Sequence, residues 1–172
     1  MPSRRTYDSE RCVHFLTFSC YRRRKLLRHA QPAKIVVGQL ARRLADRDGL
    51  CLGFVIMPDH VHAMVWFPES GRLAEFMDVW KAESSKTIGR YLAEYAGGYR
   101  NAFDERTVWQ PRYYDFNVLT AAKAEEKLDY MHANPVRAGL VTRPSEYRWS
   151  SARWYESGRP VGIPIGWPDG FD

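Results

Sequence analysis

Two apolar runs on either side of a short break constrain the fold of this chain more than any other feature. The runs cover residues 50–57 and 61–67, and Pro58 and Asp59 stand at the break between them. Runs of this length that are rich in β-forming residues and bounded by a turn signal are typical of strands. The pattern therefore predicts a β-hairpin, with His60 and His62 at the start of its second strand.

The two histidines are separated by one residue. Side chains at positions i and i+2 of a strand leave by the same face, so His60 and His62 project side by side while Val61 points to the opposite face. Two adjacent imidazoles can hold one divalent metal ion. The alternative is a pair of histidines that only caps or packs at the end of a strand.

The rest of the chain predicts the order strand, helix, strand, strand, helix, strand, helix. This order matches the split βαβ plan of a ferredoxin-like α+β fold, with an antiparallel sheet, helices on one face and the other face open for a site. We predict one domain over residues 1–172, with an extended C-terminal tail from about residue 155 to which we assign no role. The expected elements cover residues 12–20, 32–47, 50–57, 61–67, 71–95, 108–118 and 120–133, the last helix being stopped by Asn134 and Pro135.

Composition favours a nucleic-acid partner. The 172 residues carry a net charge of +6, and 20 of the 26 basic residues are arginines, which suit phosphate contacts and stacking on bases. Aromatic residues make up 14%, as in proteins that stack on single strands. A basic protein with a large aromatic core would show the same composition. Three widely spaced cysteines indicate reduced thiols, and the lack of a long apolar run predicts a cytoplasmic protein with no membrane partner.

A second group of candidate residues lies in the last predicted helix. Tyr130 and Asn134 are four residues apart and share a helix face. An asparagine oxygen can be a third ligand to Mg²⁺ or Mn²⁺, and a tyrosine hydroxyl beside that metal can attack a phosphodiester. Tyr130 could instead pack on the sheet, and Asn134 could be a turn residue before the proline. Asp129 and His132 point away from Tyr130, so we interpret them as solvent-facing or supporting groups.

Four segments resemble the single-tyrosine HUH transposases, and among these the REP-associated tyrosine transposases. The first reads Met-Pro-Asp-His-Val-His, and the segments cover residues 57–62, 108–115, 128–141 and 147–152. The resemblance implies a ferredoxin-like HUH nuclease that acts on single-stranded DNA hairpins from repetitive extragenic palindromes. It implies that His60 and His62 are the metal-binding pair, Tyr130 is the nucleophile and Asn134 is the third ligand.

Further residues are expected to contact DNA. A basic turn, Arg22, Arg23, Arg24 and Lys25, follows the first predicted strand, and other candidates lie on the second helix and before the fourth strand: Lys81, Lys86, Trp109, Gln110 and Arg112. Positively charged side chains that neutralise phosphates give affinity that falls with salt. Ordinary solvated charge is the alternative for each single basic residue.

Three functions remain open at this point. The leading hypothesis is an enzyme that cleaves and rejoins single-stranded DNA through a 5′-phosphotyrosine. The others are a non-catalytic nucleic-acid-binding protein that uses the open sheet, and a metal-dependent hydrolase with a water nucleophile and a structural Tyr130. The short connection around residues 118–120 leaves little reach for exchanging the tyrosine helix with another chain, so we predict a monomer; the alternative is a dimer in which two chains exchange this helix.

Overall fold

Four strands form one antiparallel sheet. A computed structural model describes residues 12–95 and 108–172, and the statements below concern these residues. The strands lie in the order β2-β3-β1-β4, so β1 and β3 are central. This arrangement of strands and helices confirms the predicted ferredoxin-like α+β class. The strands are β1 (Val13–Ser19), β2 (Leu50–Ile56), β3 (His60–Trp66) and β4 (Tyr114–Val118).

Two helices cover one face of the sheet, hereafter the core face. They are α1 (Ala30–Ala45) and α2 (Leu73–Tyr95), and both pack against alternate residues of the strands, such as Phe18 of β1. Trp80 of α2 is fully buried between rings at this interface. The two glycines at 97–98, which we expect to end the second predicted helix, lie outside the described residues.

A third helix lies over the other face of the sheet, hereafter the site face. This helix, α3 (Ala121–Arg137), packs Leu128 and Met131 against β-strand residues that include Phe15. Gly53 permits the close approach, since a Cβ atom there would lie 2.4 Å from Leu128 Cδ2. We expected this face to be open for a site. It is instead partly covered by α3, the helix that holds Tyr130.

The end of α3 differs from the prediction. We expected Asn134 and Pro135 to stop the helix, but it continues through Pro135 to Arg137. A proline near the C-terminal end removes only one backbone hydrogen bond, and the helix ends instead in a Schellman motif at Gly139, which has φ of 71°. The amides of Gly139 and Leu140 donate to the carbonyls of Val136 and Pro135. This extension places Arg137 on the tyrosine helix.

The C-terminal segment covers the outer edge of β2. After the short helix α4 (Ala152–Ser157), the chain is extended, and Gly166 N donates to Cys51 O. Earlier in the segment, Ile56 N donates to Trp149 O and Ser151 N donates to Phe54 O. The edge of β2 is therefore paired along much of its length, which protects it from pairing with another chain. Among the described helices, no stretch has the length and apolar character needed to cross a membrane.

A buried ion pair joins the first strand to the last. His14 Nδ1 lies 3.2 Å from Asp115 Oδ1, and both side chains are almost inaccessible to solvent. Burial alone would lower the pKa of His14. The hydrogen bond with Asp115, together with the negative charge of Asp115 and the nearby Cys12, has a larger combined effect in the opposite direction and raises that pKa to about 10. His14 is therefore protonated at neutral pH and ties β4 to the centre of the sheet.

Candidate active site

His60 and His62 stand together on the site face, as their spacing predicts. Their ring centroids are 4.8 Å apart and the rings are nearly perpendicular, while Val61 packs into the core face. The alternation of side chains in β3 therefore sends two imidazoles to one side and the intervening valine to the other.

Each histidine is held through its Nδ1 atom. His60 Nδ1 lies 2.7 Å from Asp59 Oδ1, and His62 Nδ1 lies 2.7 Å from Thr17 Oγ1 on the neighbouring strand. A partner on one ring nitrogen fixes the ring and selects the nitrogen that remains for a metal. Both rings can therefore present Nε2 to a ligand.

Tyr130 reaches the same site from α3. Its ring centroid lies 5.9 Å from that of His62 and 6.4 Å from that of Phe15, which itself stacks on His62. Tyr130 is 49% exposed, so it is not a core aromatic residue. One chain thus supplies the histidine pair and the tyrosine side chain to one place.

Arg137 joins the two polar residues of the tyrosine helix. Its Nη2 atom donates to the backbone carbonyl oxygen of Tyr130 at 2.8 Å and to the side-chain oxygen Oδ1 of Asn134 at 3.1 Å. The guanidinium carbon also lies 4.6 Å from the centroid of the Tyr130 ring, within the range of a cation–π interaction. Arg137 was not among the predicted site residues, because the helix was expected to end before it.

The site is electropositive. Burial is the largest cause of a pKa of about 3 for His62, and the neighbouring charges of His60, Arg137, Arg23 and Lys127 contribute to the same lowering. His62 is therefore a neutral imidazole at physiological pH, the form in which a histidine nitrogen can bind a metal.

The residues present fit a divalent cation. No group of three or more His, Cys, Asp or Glu side chains that could hold a metal occurs in the described parts of the chain, so any third protein ligand here must come from another residue type. Asn134 is on the tyrosine helix, and its Nδ2 is buried without a hydrogen-bond partner. An amide oxygen suits Mg²⁺ or Mn²⁺, and neutral imidazole nitrogens are common metal ligands, so the three side chains offer atoms that can bind a divalent cation.

Comparison with known proteins identifies the family. A family model described as transposase IS200 like matches residues 9–134. The chain belongs to the IS200-like transposase family. Curated relatives include a REP-associated tyrosine transposase from Escherichia coli (strain K12), 24% identical over 62% of this chain and 56% of that protein. Another is a putative REP-associated tyrosine transposase from Haemophilus influenzae, 25% identical over 56% of this chain and 54% of that protein. The matches thus span only about half the length of these relatives.

Solved structures share the fold. A REP-associated tyrosine transposase bound to a REP hairpin superposes with a TM-score of 0.71 at 22% identity, covering 98% of this chain and 94% of that one. A putative transposase from Deinococcus radiodurans gives a TM-score of 0.52 at 16% identity, covering 76% of this chain and 95% of that one. At these identities the likeness establishes the fold alone.

In this IS200-like protein, the predicted basic turn lies beside the histidine pair. Arg22 and Arg23 both have φ of 55°, a conformation that costs about 1–2 kcal/mol for a residue other than glycine. Arg23 donates to Ser19 Oγ and pairs with Asp59 Oδ2 at 3.0 Å, so it is linked through Asp59 to His60. Arg22 and Lys25 are exposed, and Arg24 is half-buried.

Two of the predicted DNA contacts have structural roles. Trp109, predicted to contact DNA, is instead a core residue, because its side chain is only 4% exposed, packs on Phe18 and donates from Nε1 to Ser84 Oγ. Lys81 donates from Nζ to the carbonyls of Gln110 and Pro111, so its ammonium holds the segment that precedes β4. A single tryptophan gives the same sequence signal whether it contacts DNA or fills a core.

The other predicted contacts remain accessible. Lys86 and Arg112 are exposed and Gln110 is half-buried. Gln110 and Arg112 line a groove of about 540 Å³ together with Thr17, the partner of His62. The groove therefore places these residues next to the histidine site, and their contact with DNA remains a prediction.

The prediction that His132 faces solvent is wrong. It is buried, and its Nε2 lies 2.7 Å from Ser151 Oγ, which also accepts from Phe54 N. This network attaches the tyrosine helix to β2 and the C-terminal segment, so the expected supporting role agrees with the structure. Asp129 is exposed.

Three site residues were missed by the sequence analysis. Asp59 lies in the predicted turn between two strands, but a carboxylate next to a histidine pair is also a signal for a supporting hydrogen bond. Thr17 lies far away in sequence and reaches His62 only through strand pairing. Arg137 could have been found by continuing the helix periodicity through Pro135, since it stands three residues after Asn134.

Proposed function

We propose that this protein cleaves and rejoins single-stranded DNA hairpins through a covalent 5′-phosphotyrosine at Tyr130. The observation that carries the proposal is the half-exposed Tyr130 ring beside the His60–His62 pair, supplied by the same chain. Membership of a transposase family supports an enzyme that acts on DNA. The names of the curated relatives, and the REP hairpin bound to a protein of the same fold, support hairpin DNA as the substrate class.

In the proposed reaction, the Tyr130 oxygen forms a bond to the scissile phosphorus and loses its proton. The bond from phosphorus to the 3′ oxygen breaks, and that oxygen leaves as a 3′-hydroxyl after it takes up a proton. Attack by another 3′-hydroxyl reverses the step and rejoins DNA, which returns the tyrosine hydroxyl. Because each bond to phosphorus is exchanged for another, the reaction needs no external energy source.

The remaining residues orient these groups. Asp59 and Thr17 fix the two imidazoles, Phe15 supports the His62 ring, and α3 carries Tyr130 to the same face. His60, His62 and Asn134 would hold Mg²⁺ or Mn²⁺, and a bound divalent cation would polarise the phosphate and stabilise its developing charge.

An adduct assay tests this function. The protein is incubated with a DNA hairpin labelled at its 3′ end and Mn²⁺ and then separated on a denaturing gel, since a 5′-phosphotyrosine keeps the DNA on the 3′ side of the cleaved bond. The wild type should give a labelled protein band, whereas Tyr130→Phe should bind the hairpin with little change and form no adduct. His60→Ala should lose cleavage while keeping its fold by circular dichroism.

Each alternative function gives a different result in this assay. Cleavage without any adduct would indicate a hydrolase with a water nucleophile, and hairpin binding without cleavage would indicate a non-catalytic binding protein. An adduct that persists in Tyr130→Phe would exclude Tyr130. Tyr114 would then be the better candidate, since it lies opposite Thr17 on the site face, whereas Tyr113 packs towards the core face.

We also propose that the site works within a monomer. Only Leu119 and Thr120 separate the end of β4 from the start of α3, which leaves little reach for exchange of the helix. A His60→Ala, His62→Ala chain is mixed with a Tyr130→Phe chain and assayed for cleavage. A site built within one chain stays inactive in the mixture, whereas restored cleavage would contradict the monomer.

A further inference from the structure

Arg137 contacts both side chains that the proposed reaction uses on α3, namely Asn134 and Tyr130. Its guanidinium donates to Asn134 Oδ1 and lies over the Tyr130 ring. The amide nitrogen of Asn134 is buried without a partner, so the oxygen is the only atom of that amide with a hydrogen bond in the described structure. A metal bound to Asn134 would be coordinated by the same oxygen that already accepts a hydrogen bond from Arg137.

A guanidinium and a divalent cation at one amide oxygen repel each other. The approach of either group therefore weakens the hold of the other. Arg137 is exposed, so its side chain can leave towards solvent without disturbing the core. A DNA phosphate offers a negatively charged acceptor that the planar guanidinium can meet with two parallel hydrogen bonds, whereas the neutral Asn134 amide accepts one hydrogen bond from Arg137.

We propose that Arg137 is a phosphate-operated latch on this site, an inference that rests on the proposed function. In the free protein the latch holds the Asn134 oxygen and covers the Tyr130 ring. A phosphate of the bound DNA draws the guanidinium away from both, which frees Asn134 for the metal and Tyr130 for the phosphate. Metal and DNA then bind cooperatively, and the coupling acts equally in both directions.

The latch can be separated from the general effect of charge by a matched control. Lys127 lies on the same helix, and its charge, like that of Arg137, lowers the pKa of His62. Its ammonium sits over the rings of Phe15 and Phe116. Lys127→Gln therefore removes a neighbouring positive charge and leaves the contacts of Arg137 in place. Arg137→Lys keeps the charge and removes the planar fork.

The experiment measures Mn²⁺ affinity by the electron paramagnetic resonance signal of free Mn²⁺. All variants carry Tyr130→Phe, so that no cleavage occurs, and each is titrated alone and with an unlabelled DNA hairpin. Without DNA, Arg137→Gln should bind Mn²⁺ about fivefold or more tightly than the parent, and Lys127→Gln should change the affinity less. Arg137→Lys should fall between the parent and Arg137→Gln. The hairpin should tighten Mn²⁺ binding in the parent and in Lys127→Gln, and much less in Arg137→Gln.

The failure of the latch and the failure of the proposed function give different results. If the parent binds no Mn²⁺, or if His60→Ala leaves its Mn²⁺ affinity unchanged, the metal site fails and the latch fails with it. If Mn²⁺ binds through His60 and Arg137→Gln binds it equally or more weakly, Arg137 only braces Asn134 and the latch alone is overturned. Equal gains in Arg137→Gln and Lys127→Gln would also overturn it. Melting by circular dichroism confirms that each variant is folded.

Discussion

The two faces of the sheet are built from the same strands but have different chemistry. On the core face, α1 and α2 bury a continuous set of aliphatic and aromatic side chains around Trp80. On the site face, α3 covers a smaller apolar cluster, beside which lie two histidines, a half-exposed tyrosine and an arginine. Alternation along each strand thus separates residues that stabilise the fold from those that form the site.

This difference shows how the protein keeps a polar site next to a packed core. Phe15 and Phe18 lie on the same strand and are both buried, but Phe18 packs on Trp80 whereas Phe15 stacks on His62. Stability should depend on both faces, and chemistry on the site face alone. The predictions below test this separation, from the largest expected effect to the smallest.

The largest effect is expected from the centre of the core face. Trp80→Ala removes a fully buried ring that packs on Phe18 and Phe76 and donates to Val36 O. Truncation of such a residue costs about 3–5 kcal/mol of unfolding free energy. Urea unfolding measures the loss, and a change below about 1 kcal/mol would contradict the assigned role of this face.

A smaller loss of stability is expected from the ion pair at the edge of the sheet. Asp115→Asn weakens a buried hydrogen bond to a charged group, which costs about 1.5–3 kcal/mol. The folded pKa of His14 is raised to about 10, above its unfolded value of 6.5, so the pair stabilises fully below pH 6.5 and its contribution is lost as the pH rises through 10. The difference in unfolding free energy between wild type and variant, measured at pH 6, 8 and 10, should therefore shrink. A difference that grows with pH would contradict the pairing.

A matched pair on β1 tests the separation of the faces directly. Phe15→Leu and Phe18→Leu make the same change on opposite faces, and both variants should fold. Phe15→Leu removes the ring that supports His62 and should lower the rate of adduct formation by about tenfold, the lower end of effects at groups that support metal ligands. Phe18→Leu should leave the rate within about twofold of the wild type. Equal losses of rate would show that the faces are not functionally separate.

The smallest effect is expected at the basic turn. Replacing Arg22, Arg24 and Lys25 with glutamine, and leaving Arg23 because it pairs with Asp59, should weaken hairpin binding without regard to sequence. The slope of log affinity against log salt should flatten by about 0.7 for each single-strand phosphate, or about 0.9 for each phosphate of the duplex stem, that the turn no longer neutralises. Hairpin titrations at several salt concentrations measure this slope, and an unchanged slope would assign the turn to solubility.

Most elements of the fold were predictable because their patterns are local. The strands at residues 50–56 and 60–66 and helix α1 agree with the sequence periodicity to within a few residues. The end of α3 differs because Pro135 is a local stop signal, but near the end of a helix a proline removes only one backbone hydrogen bond, so the helix continues to the Schellman motif at Gly139.

The site was predictable only where its residues lie close together in sequence. His60 and His62, and likewise Tyr130 and Asn134, follow from the spacing in a strand and a helix, but Thr17 reaches His62 through a partner strand 45 residues away. Trp109 was misassigned because its sequence neighbours do not reveal that Phe18 and Ser84 surround it. Contacts between distant segments carry the information that local patterns lack.

The identity of the residue that carries the DNA tests the central claim most directly. The adduct formed with Mn²⁺ is digested with nuclease and trypsin, and the peptide that keeps a nucleotide is identified by mass spectrometry. Trypsin separates the candidates, because Tyr130 is the single tyrosine of the peptide 128–137, whereas Tyr113 and Tyr114 fall in the peptide 113–123. We expect the nucleotide on the peptide 128–137. A nucleotide on the peptide 113–123, or cleaved DNA with no modified peptide, would contradict the account.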